Sequence, residues 1–498
     1  MSVAQNVPNE QLDRAPLDLR LVPAAILAWL STALVLQVAN SSGSTLGVLL
    51  VSLAFTSVLV LLGIVQKTRR AAHARQDPGS FVSAAALLCL VLAVSVISAA
   101  TQAHMFARHD MKEACKTRCV ITAFVERPSR EAAQGRWITH LAVPGGKILV
   151  AGSRIEARAG DQVILSGRLQ AGLTPPMLGV FKPANIETRE ATGWRVTFRK
   201  NLHSALAPLP PASRGLIAGM SIGDYSDLPP QARDAMVTTG TSHLTAISGL
   251  HLAILIGTIN VLLPGRGTAK IALVSTIVAG LVAIVGPTPS IIRAVSMAAI
   301  PTWSGVLGRH GQPFNSLALV VLAWIIWNPW LSFSVGFLLS TLSTAGVLIA
   351  TAGRQRNPPP GWPKSRRLAQ KLWNAGSVPL AATIATSPAL LCLNGSVALY
   401  AVFTNVVLAP LVAPTTLLSL VTAVLAQIGN ASQVASLAAL CAQGIIAITT
   451  WFAKLPGAQI IGPGAIATVL VMLLIAVTYI GWRLLPLLVA HRIPHKPV

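Results

Sequence analysis

The chain has 498 residues, of which 53% are hydrophobic and only 11% are charged, and its mean hydropathy is +0.65. A soluble protein of this size would need more charge on its surface, so the composition excludes that class. Apolar runs of about 20 residues, each long enough to cross a hydrocarbon core, recur from Leu21 onwards. Since only helices can span a bilayer in an open chain, we expect a polytopic α-helical protein of the inner (cytoplasmic) membrane.

The first part of the chain predicts three membrane spans. A polar cytoplasmic tail over 1–20, without the pattern of a signal peptide, precedes spans at 21–40, 46–65 and 81–103. Four basic residues between the second and third spans place that loop in the cytoplasm by the positive-inside rule: Lys67, Arg69, Arg70 and Arg75. Three crossings of the segment 21–103 then put the next segment outside the cytoplasm.

The segment 104–212 has a different composition and predicts an extracytoplasmic β-domain. It carries sixteen Lys or Arg against eight Asp or Glu, and its apolar residues alternate with a period of two. Strands are predicted at Arg118–Val125, Arg136–Val143, Lys147–Val150, Ser153–Ala157 and Gln162–Leu169. Five short strands favour a small barrel of the OB type. The strand spacing alone fits another small β-domain equally well.

Two cysteines of this segment, Cys115 and Cys119, lie in a polar stretch. They pair as a small loop disulfide if the segment faces outward, and the same spacing also suits two free thiols.

The remainder, 213–482, predicts a second membrane domain. Short amphipathic helices are expected between Arg214 and Thr239, and ten spans follow at 244–263, 271–286, 289–307, 315–327, 331–352, 377–393, 397–413, 415–428, 431–453 and 463–482. Short pieces broken by Pro or Gly indicate re-entrant half-helices, so the expected total is about 11–13 spans. The basic loop 353–374 should be cytoplasmic. An odd count puts the tail 483–498 outside, whereas Arg483, Arg492 and Lys496 favour the inside.

The charge distribution limits the mechanism. Lys and Arg outnumber Asp and Glu by 38 to 15, and no carboxylate side chain follows Asp234. Proton- and sodium-coupled carriers usually hold their ion with Asp or Glu inside the membrane, so a coupled carrier is disfavoured. The chain also lacks a phosphate-binding loop of the G-x-x-x-x-G-K-[ST] type, which excludes an ATPase of that class.

A dense polar cluster lies between Thr238 and Leu252, in an apolar setting. His243 and His251 are eight residues apart, so on one helix they would share a face. Such groups either line a wet cavity or hydrogen-bond between helices. Two histidines without a nearby carboxylate or thiolate supply too few ligands for a typical metal site, so neither a metal nor another cofactor is expected. Gly240 and Gly249 allow kinks or close helix approach.

Arg293 is the second candidate. It follows Pro287 and Pro289 and precedes an apolar stretch, where a cation is costly unless it meets water, an anion or backbone carbonyls. No acid in the region can pair with it. It therefore indicates an anionic substrate, or else its side chain snorkels to an interface.

These residues carry a resemblance to the ComEC family of competence proteins. Similar motifs occur in the family's order over about 210–430: Gly219–Asp224 with Leu228-Pro229, Thr239–His251, Pro289–Ala294, Asn315–Leu319, Ser334–Ser340 and Thr404-Asn405 through Pro410. Leu338 stands where the family usually has Gln, so any polar role there is lost. The resemblance also favours the OB type for the outer domain.

The resemblance implies that the chain conducts single-stranded DNA into the cell in natural transformation and is not itself an enzyme. It places six residues along the path in the bilayer: His243, Ser248, Gly249, His251, Arg293 and Asn405. It makes three others a structural signature: Gly223, Asp224 and Gly240. The metallo-β-lactamase-like domain of many members has no counterpart in these residues. Partners are therefore an outer DNA receptor, a cytoplasmic helicase-like ATPase and a separate nuclease.

The outer domain is expected to hold DNA by its positive charge and by base stacking. The candidates are Arg127, Arg130, Arg136, Trp137, Arg154, Arg158 and Arg168, although each arginine equally fits a solvated surface position.

Two other functions remain open from the sequence. One is a transporter or flippase for another anionic substrate, such as a lipid-linked polymer. The other is a membrane enzyme that uses the His243/His251 pair with a metal. The oligomeric state cannot be read from the residues.

Overall fold

The computed structural model describes residues 21–42, 78–107, 115, 118–131, 137–143, 146–152, 154–157, 160–170, 177–189, 193–245, 247, 249–263, 268–286, 291–297, 312–351, 363–464 and 466–471. The predicted span 46–65 and the tails 1–20 and 483–498 lie outside the described residues, as do most of the spans 289–307 and 463–482.

The helices that we label along the chain are α1 Val22–Ser42, α2 Pro78–Ala107, α3 Trp194–Leu206, α4 Pro211–Ile222, α5 Pro230–Thr238, α6 Gly249–Leu262, α7 Thr268–Val285, α8 Pro313–Trp327, α9 Val335–Thr351, α10 Lys364–Asn394, α11 Ala401–Leu425 and α12 Ser432–Ala453. Short 3₁₀ turns lie at Ser242–Thr245, Pro329–Phe333 and Ala426–Ile428. Residues 291–297 are also helical.

Four stretches of these helices are long and apolar enough to cross a membrane, by length and composition, within the described residues: Leu88–Met105, Gly376–Asn394, Ala401–Ile428 and Ser432–Ala453. Five shorter apolar helices accompany them: Val22–Val38, Gly249–Leu262, Lys270–Val285, Pro313–Trp327 and Val335–Thr351. The chain is therefore a multi-pass membrane protein, as the composition predicts.

The strands of the segment 104–212 form a closed barrel. They are β1 Cys119–Glu131, β2 Trp137–Val143, β3 Gly146–Gly152, β4 Gln162–Gln170 and β5 Met177–Arg189. Their order around the barrel is β1-β2-β3-β5-β4, closed by pairing of β1 with β4, and all pairs are antiparallel except β3 with β5. Alternate side chains fill the interior, which Leu141, Ile148, Leu165 and Phe181 occupy without exposure. The predicted five-stranded barrel is confirmed.

One predicted strand is wrong. Residues 154–157 belong to no ladder; the Ile155 N–H donates to Ser129 Oγ at 2.9 Å and its carbonyl accepts from the same hydroxyl. The fifth strand is instead β5. It was not predicted, because Gly179 and Pro183 interrupt its β-pattern. A proline suits a strand where its missing N–H is not needed for the ladder, and β5 shifts register next to Pro183.

Two predicted spans, 397–413 and 415–428, are one helix. α11 runs continuously through Pro410 and Pro414. Prolines are tolerated inside membrane helices where hydroxyls and neighbouring helices satisfy the freed backbone groups. The carbonyls that lose their donors here are those of Val406 and Pro410. In the turn that follows, the hydroxyls of Thr415 and Thr416 donate to the carbonyls of Leu411 and Val412 at 2.6 and 2.7 Å.

The main core forms where α4 packs against α11 and α12. Pro211 begins α4, and Gly223, in the left-handed conformation at φ 76°, ends it. Residues 215–222 are all buried, so most of α4 lies in the core. A second core joins α1, α2, α8 and α9 around Phe337, whose ring lies 5.2 Å from that of Trp29.

α9 and α10 touch at Gly346, where a Cβ atom would lie 2.6 Å from the carbonyl oxygen of Ala381. Gly346→Ala should force the two helices apart and cost about 1–3 kcal/mol of stability. The control is Gly336→Ala on the same helix, where a Cβ meets nothing within 4 Å. Thermal unfolding of the purified protein in detergent would measure both, and equal midpoints for the two variants would contradict this packing.

Candidate functional site

Asp224, which follows the glycine that ends α4, is buried with 4% of its surface exposed. Its Oδ2 lies 3.1 Å from Nε2 of His203 on α3, and its Oδ1 accepts the N–H of Ser226 at 3.1 Å. Burial alone raises the pKa of this carboxyl, but the hydrogen bond and charge of His203 together with the bonds from Ser226 lower the pKa to about 2. Asp224 therefore fastens the end of α4 to α3, the helix that follows the barrel.

His203 joins a second carboxylate to this network. Its Nδ1 lies 3.4 Å from Oδ2 of Asp227, which also accepts a hydrogen bond from Nε of Arg214 at 2.9 Å. The hydrogen bond to His203 lowers the pKa of Asp227, burial opposes this, and the charge of Arg214 adds to the lowering. Two acids, a histidine and an arginine thus form one buried-to-exposed charge network outside the membrane-spanning helices.

The turn after α5 is fixed by hydroxyls. Thr239 and Thr241 are fully buried and share a hydrogen bond of 3.0 Å, and Thr239 also donates to the carbonyl of Ala235 at 2.8 Å. Between them, Gly240 has φ 70°, and a Cβ there would lie 2.9 Å from Cβ of Ala401 at the start of α11. Both the backbone conformation and the close approach require glycine at this position.

The prediction that His243 and His251 share one helix face is wrong. His243 belongs to the 3₁₀ turn Ser242–Thr245, where its Nδ1 lies 3.2 Å from the carbonyl oxygen of Gly240, whereas His251 lies in the first turn of α6. The two elements are separated because α6 begins only at Gly249. His251 is buried at 1% exposure, and His243 is exposed. Ser248 lies outside the described residues.

Arg293 does not snorkel to an interface: only 6% of it is exposed. Its Nε donates to Ser340 Oγ at 2.8 Å and its Nη1 to Thr344 Oγ1 at 2.7 Å, both on α9. Both partners are neutral, and no carboxylate side chain follows Asp234 in the sequence. A Cβ on Gly249 would lie 3.3 Å from Nη2 of Arg293, so the guanidinium reaches the beginning of α6.

Asn405, by contrast, is satisfied on its own helix, because its Nδ2 donates to the carbonyl of Ala401 at 2.7 Å. Of the six predicted path residues, the structure thus brings Gly249 and Arg293 together. His251 lies two residues after Gly249 on the same helix, α6. The sequence did not indicate Ser340 and Thr344 as the partners of Arg293, or His203 as the partner of Asp224, since each pair is far apart along the chain.

In the barrel, the guanidinium of Arg154 lies 5.0 Å above the ring of Trp137, and Arg168 on β4 is exposed. Arg127 and Arg130 lie on β1, where only their backbone is described. Arg136 and Arg158 lie outside the described residues. Cys115 and Cys119 form a disulfide, and the carbonyl of Cys115 accepts the N–H of Leu169 on β4 at 3.0 Å.

A cleft of about 750 Å³ opens between the barrel and the loop that follows α4. Its basic lining comes from Arg154 and Arg189 of the barrel and from Arg199 and Lys200 of α3. The cleft holds as many carboxylates as cations: Glu156 and Asp161 lie on the side of the barrel, and Asp224 and Asp227 lie with His203 on the opposite side. Within the described residues, no group of three or more His, Cys, Asp or Glu side chains is placed to hold a metal ion.

The fold and the site together define a multi-pass membrane protein that carries a closed barrel beside a bundle with a buried cation. The family model described as Competence protein matches residues 220–486, which is more than half of the chain. The chain therefore belongs to the competence protein family.

Two curated relatives match parts of it. ComE operon protein 3 of Bacillus subtilis (strain 168) is 25% identical over 147 residues, which are 29% of this chain and 19% of that protein. The uncharacterized protein YcaI of Escherichia coli (strain K12) is 28% identical over 207 residues, which are 38% of this chain and 25% of that protein. The chain thus spans a quarter or less of the length of these relatives. No solved structure matches it.

The pair of Asp224 and His203 predicts a specific acid sensitivity. Because the folded-state pKa of Asp224, about 2, lies below its ordinary value of 3.8, the pair contributes its full stabilisation above about pH 4. This contribution, about 2 kcal/mol, is lost as the pH falls from about 4 towards 2.

Thermal unfolding in detergent should show that Asp224→Asn loses less stability between pH 5 and pH 2 than the unaltered protein does. Asp234→Asn removes an exposed carboxylate of α5 and should keep the original profile. An unchanged profile in Asp224→Asn would show that this pair does not stabilise the fold.

Proposed function

We propose that this chain conducts single-stranded DNA across the cytoplasmic membrane during natural transformation. The observation that carries the proposal is the burial of Arg293 among neutral hydroxyls, in a stretch of chain without carboxylates. A path through such a bundle attracts phosphates, and none of its side chains repels them. Membership of the competence protein family supports the same function.

The barrel would meet the DNA first. Its closed five-stranded form suits the OB type, which binds oligonucleotides on one face and in its loops. The outer segment has eight more basic than acidic residues, so binding would release counterions and weaken as salt rises. Trp137, with Arg154 above its ring, offers a surface on which a base can stack.

The cleft between the barrel and α3 would then pass the strand towards the membrane domain. Arg189, Arg199 and Lys200 line it on the side of the barrel and α3, where Glu156 and Asp161 also lie, so the strand would follow the cations. The disulfide of Cys115 and Cys119 supports an extracytoplasmic position for the barrel, because such bonds persist in oxidising compartments.

Because α11 replaces two of the thirteen predicted spans with one helix, the expected number of membrane spans becomes about twelve. An even count places both chain ends in the cytoplasm, which agrees with Arg483, Arg492 and Lys496 near the C-terminal end. We propose this orientation in an inner membrane. The chain would need a cytoplasmic helicase-like ATPase as motor, an outer receptor that delivers DNA, and a nuclease that removes the second strand.

The first test is deletion of the gene, with fluorescent DNA and transformation frequency as readouts. We expect DNA to reach the outer face of the membrane but not the cytoplasm, and the intact gene to restore transformation. Arg293→Ala should fail to restore it, whereas Lys454→Ala, a charge change at the end of α12, should succeed. Unchanged DNA uptake in the deletion strain would overturn the proposal, and loss of an exported anionic polymer or lipid would favour the transporter alternative.

A second prediction concerns stacking in the barrel. Trp137→Ala should weaken binding of oligothymidylate by the purified chain about 10-fold, because stacking of one base on an aromatic ring contributes about 1–3 kcal/mol. The matched control is Trp194→Ala, which removes a second tryptophan that is covered by an arginine, Arg195, outside the barrel. Fluorescence anisotropy at low salt measures both, and equal losses in the two variants would argue against Trp137 as a stacking platform.

A further inference from the structure

The beginning of α6 and the guanidinium of Arg293 meet inside the membrane domain. Gly249 is the first residue of α6, a helix of 14 residues, and an added Cβ there would lie 3.3 Å from Nη2 of Arg293. The same Cβ would lie 3.5 Å from Cβ of Ala294. Glycine at this position therefore allows the helix to begin directly against the guanidinium.

This arrangement places two positive groups side by side. The first N–H groups of a helix have no partner within the helix, and together they carry about half a positive charge. The guanidinium beside them is a full positive charge and is 6% exposed. In surroundings of low dielectric constant the two repel each other, and a neutral hydroxyl cannot compensate for either.

The guanidinium is held from one side only. Its Nε and Nη1 donate to Ser340 and Thr344, and the hydroxyl of Thr344 in turn donates to the carbonyl of Ser340 at 2.8 Å. Among the described residues, Nη2 has no hydrogen-bond acceptor, and this is the nitrogen that reaches Gly249. Two hydroxyls of α9 thus orient the planar group and leave its remaining edge directed at the beginning of α6.

We infer that Nη2 of Arg293 and the first N–H groups of α6 bind a phosphodiester group of the DNA that passes through the membrane domain. The inference rests on the proposed function and names the chemical group that this site recognises. An anion that lies beside the two positive groups and contacts both offsets their repulsion and accepts hydrogen bonds from each. Ser340 and Thr344 act as positioning residues, since they contact the guanidinium and not the phosphate.

Recognition of this kind concerns the backbone of the DNA and not its bases, so it admits every sequence. A strand with uncharged linkages would lose the interaction while keeping its bases and its length. Methylphosphonate linkages supply such a strand, and they allow a test on the unaltered protein.

The experiment uses the purified full-length chain in a detergent without phosphate. Its affinity is measured for oligothymidylate and for the same oligonucleotide with methylphosphonate linkages, in the unaltered protein and in Arg293→Gln. The barrel is the same in both proteins, so its contribution cancels in the comparison. We expect Arg293→Gln to bind the charged strand about 10- to 100-fold more weakly and to bind the uncharged strand unchanged.

Variants that retain the fold test each part of the site. Arg293→Lys keeps the charge and should recover part of the affinity, whereas Thr344→Val should lower it less than Arg293→Gln does. Lys454→Gln removes a cation outside the site and should bind both strands as the unaltered protein does. If Arg293→Gln and the unaltered protein discriminate equally between the two strands, the inference is wrong even where transformation still requires the gene.

A phospholipid headgroup is also a phosphodiester, and a further arm distinguishes it from DNA. Phosphatidylglycerol is added to the delipidated protein before the charged oligonucleotide. If the lipid binds in an Arg293-dependent way and the oligonucleotide does not displace it, the site belongs to a lipid and the inference is overturned. Displacement of the lipid by DNA supports it.

Discussion

Burying a guanidinium in a membrane domain costs free energy, because the charged group loses its hydration. The fold offsets this loss at Arg293 only in part. The two hydroxyls that it contacts, on Ser340 and Thr344, provide hydrogen bonds but no charge. Removing an ion from water without a counter-charge costs several kcal/mol. No carboxylate side chain follows Asp234, so the sequence offers no counter-charge in this part of the chain. The buried charge therefore has to be solvated by water or neutralised by a bound anion.

Small residues allow the turn after α5, which holds the buried Thr239 and Thr241, to pack closely against two helices. A Cβ on Gly219 of α4 would lie 2.6 Å from the carbonyl oxygen of Thr245, and one on Gly240 would lie 2.9 Å from Cβ of Ala401. The turn is therefore held between α4 and α11. Just after the C-terminal end of α4, Asp224 binds His203 of α3, the helix that leads from the barrel. The cleft beside the barrel and the turn after α5 thus share one rigid helix.

The sequence predicts those features that depend on local pattern. Apolar residues that alternate with a period of two predict the barrel, and long apolar runs predict the membrane helices. The errors arise where tertiary packing overrides the local signal: Pro183 lies inside a strand, Pro410 and Pro414 lie inside α11, and residues 154–157 remain outside the ladder. The contacts of Arg293 with Thr344, 51 residues away, cannot be read from spacing at all, because they depend on how α9 packs. Arg293 itself can nevertheless be identified from the sequence, because it lies in an apolar region without acidic residues.

The two groups of cations in this protein have different physical consequences for a polyanion. Arg154 and Arg168 on the barrel are exposed, so their attraction is screened by salt and each contributes little alone. Among the described residues, Arg293 is the one arginine or lysine that is buried, so its attraction is hardly screened. A conducting path must bind its substrate strongly enough to admit it and weakly enough to release it. In the proposed path, many weak contacts outside the membrane and the one buried cation of the described residues would satisfy both conditions, because only one phosphate would be held tightly at any moment.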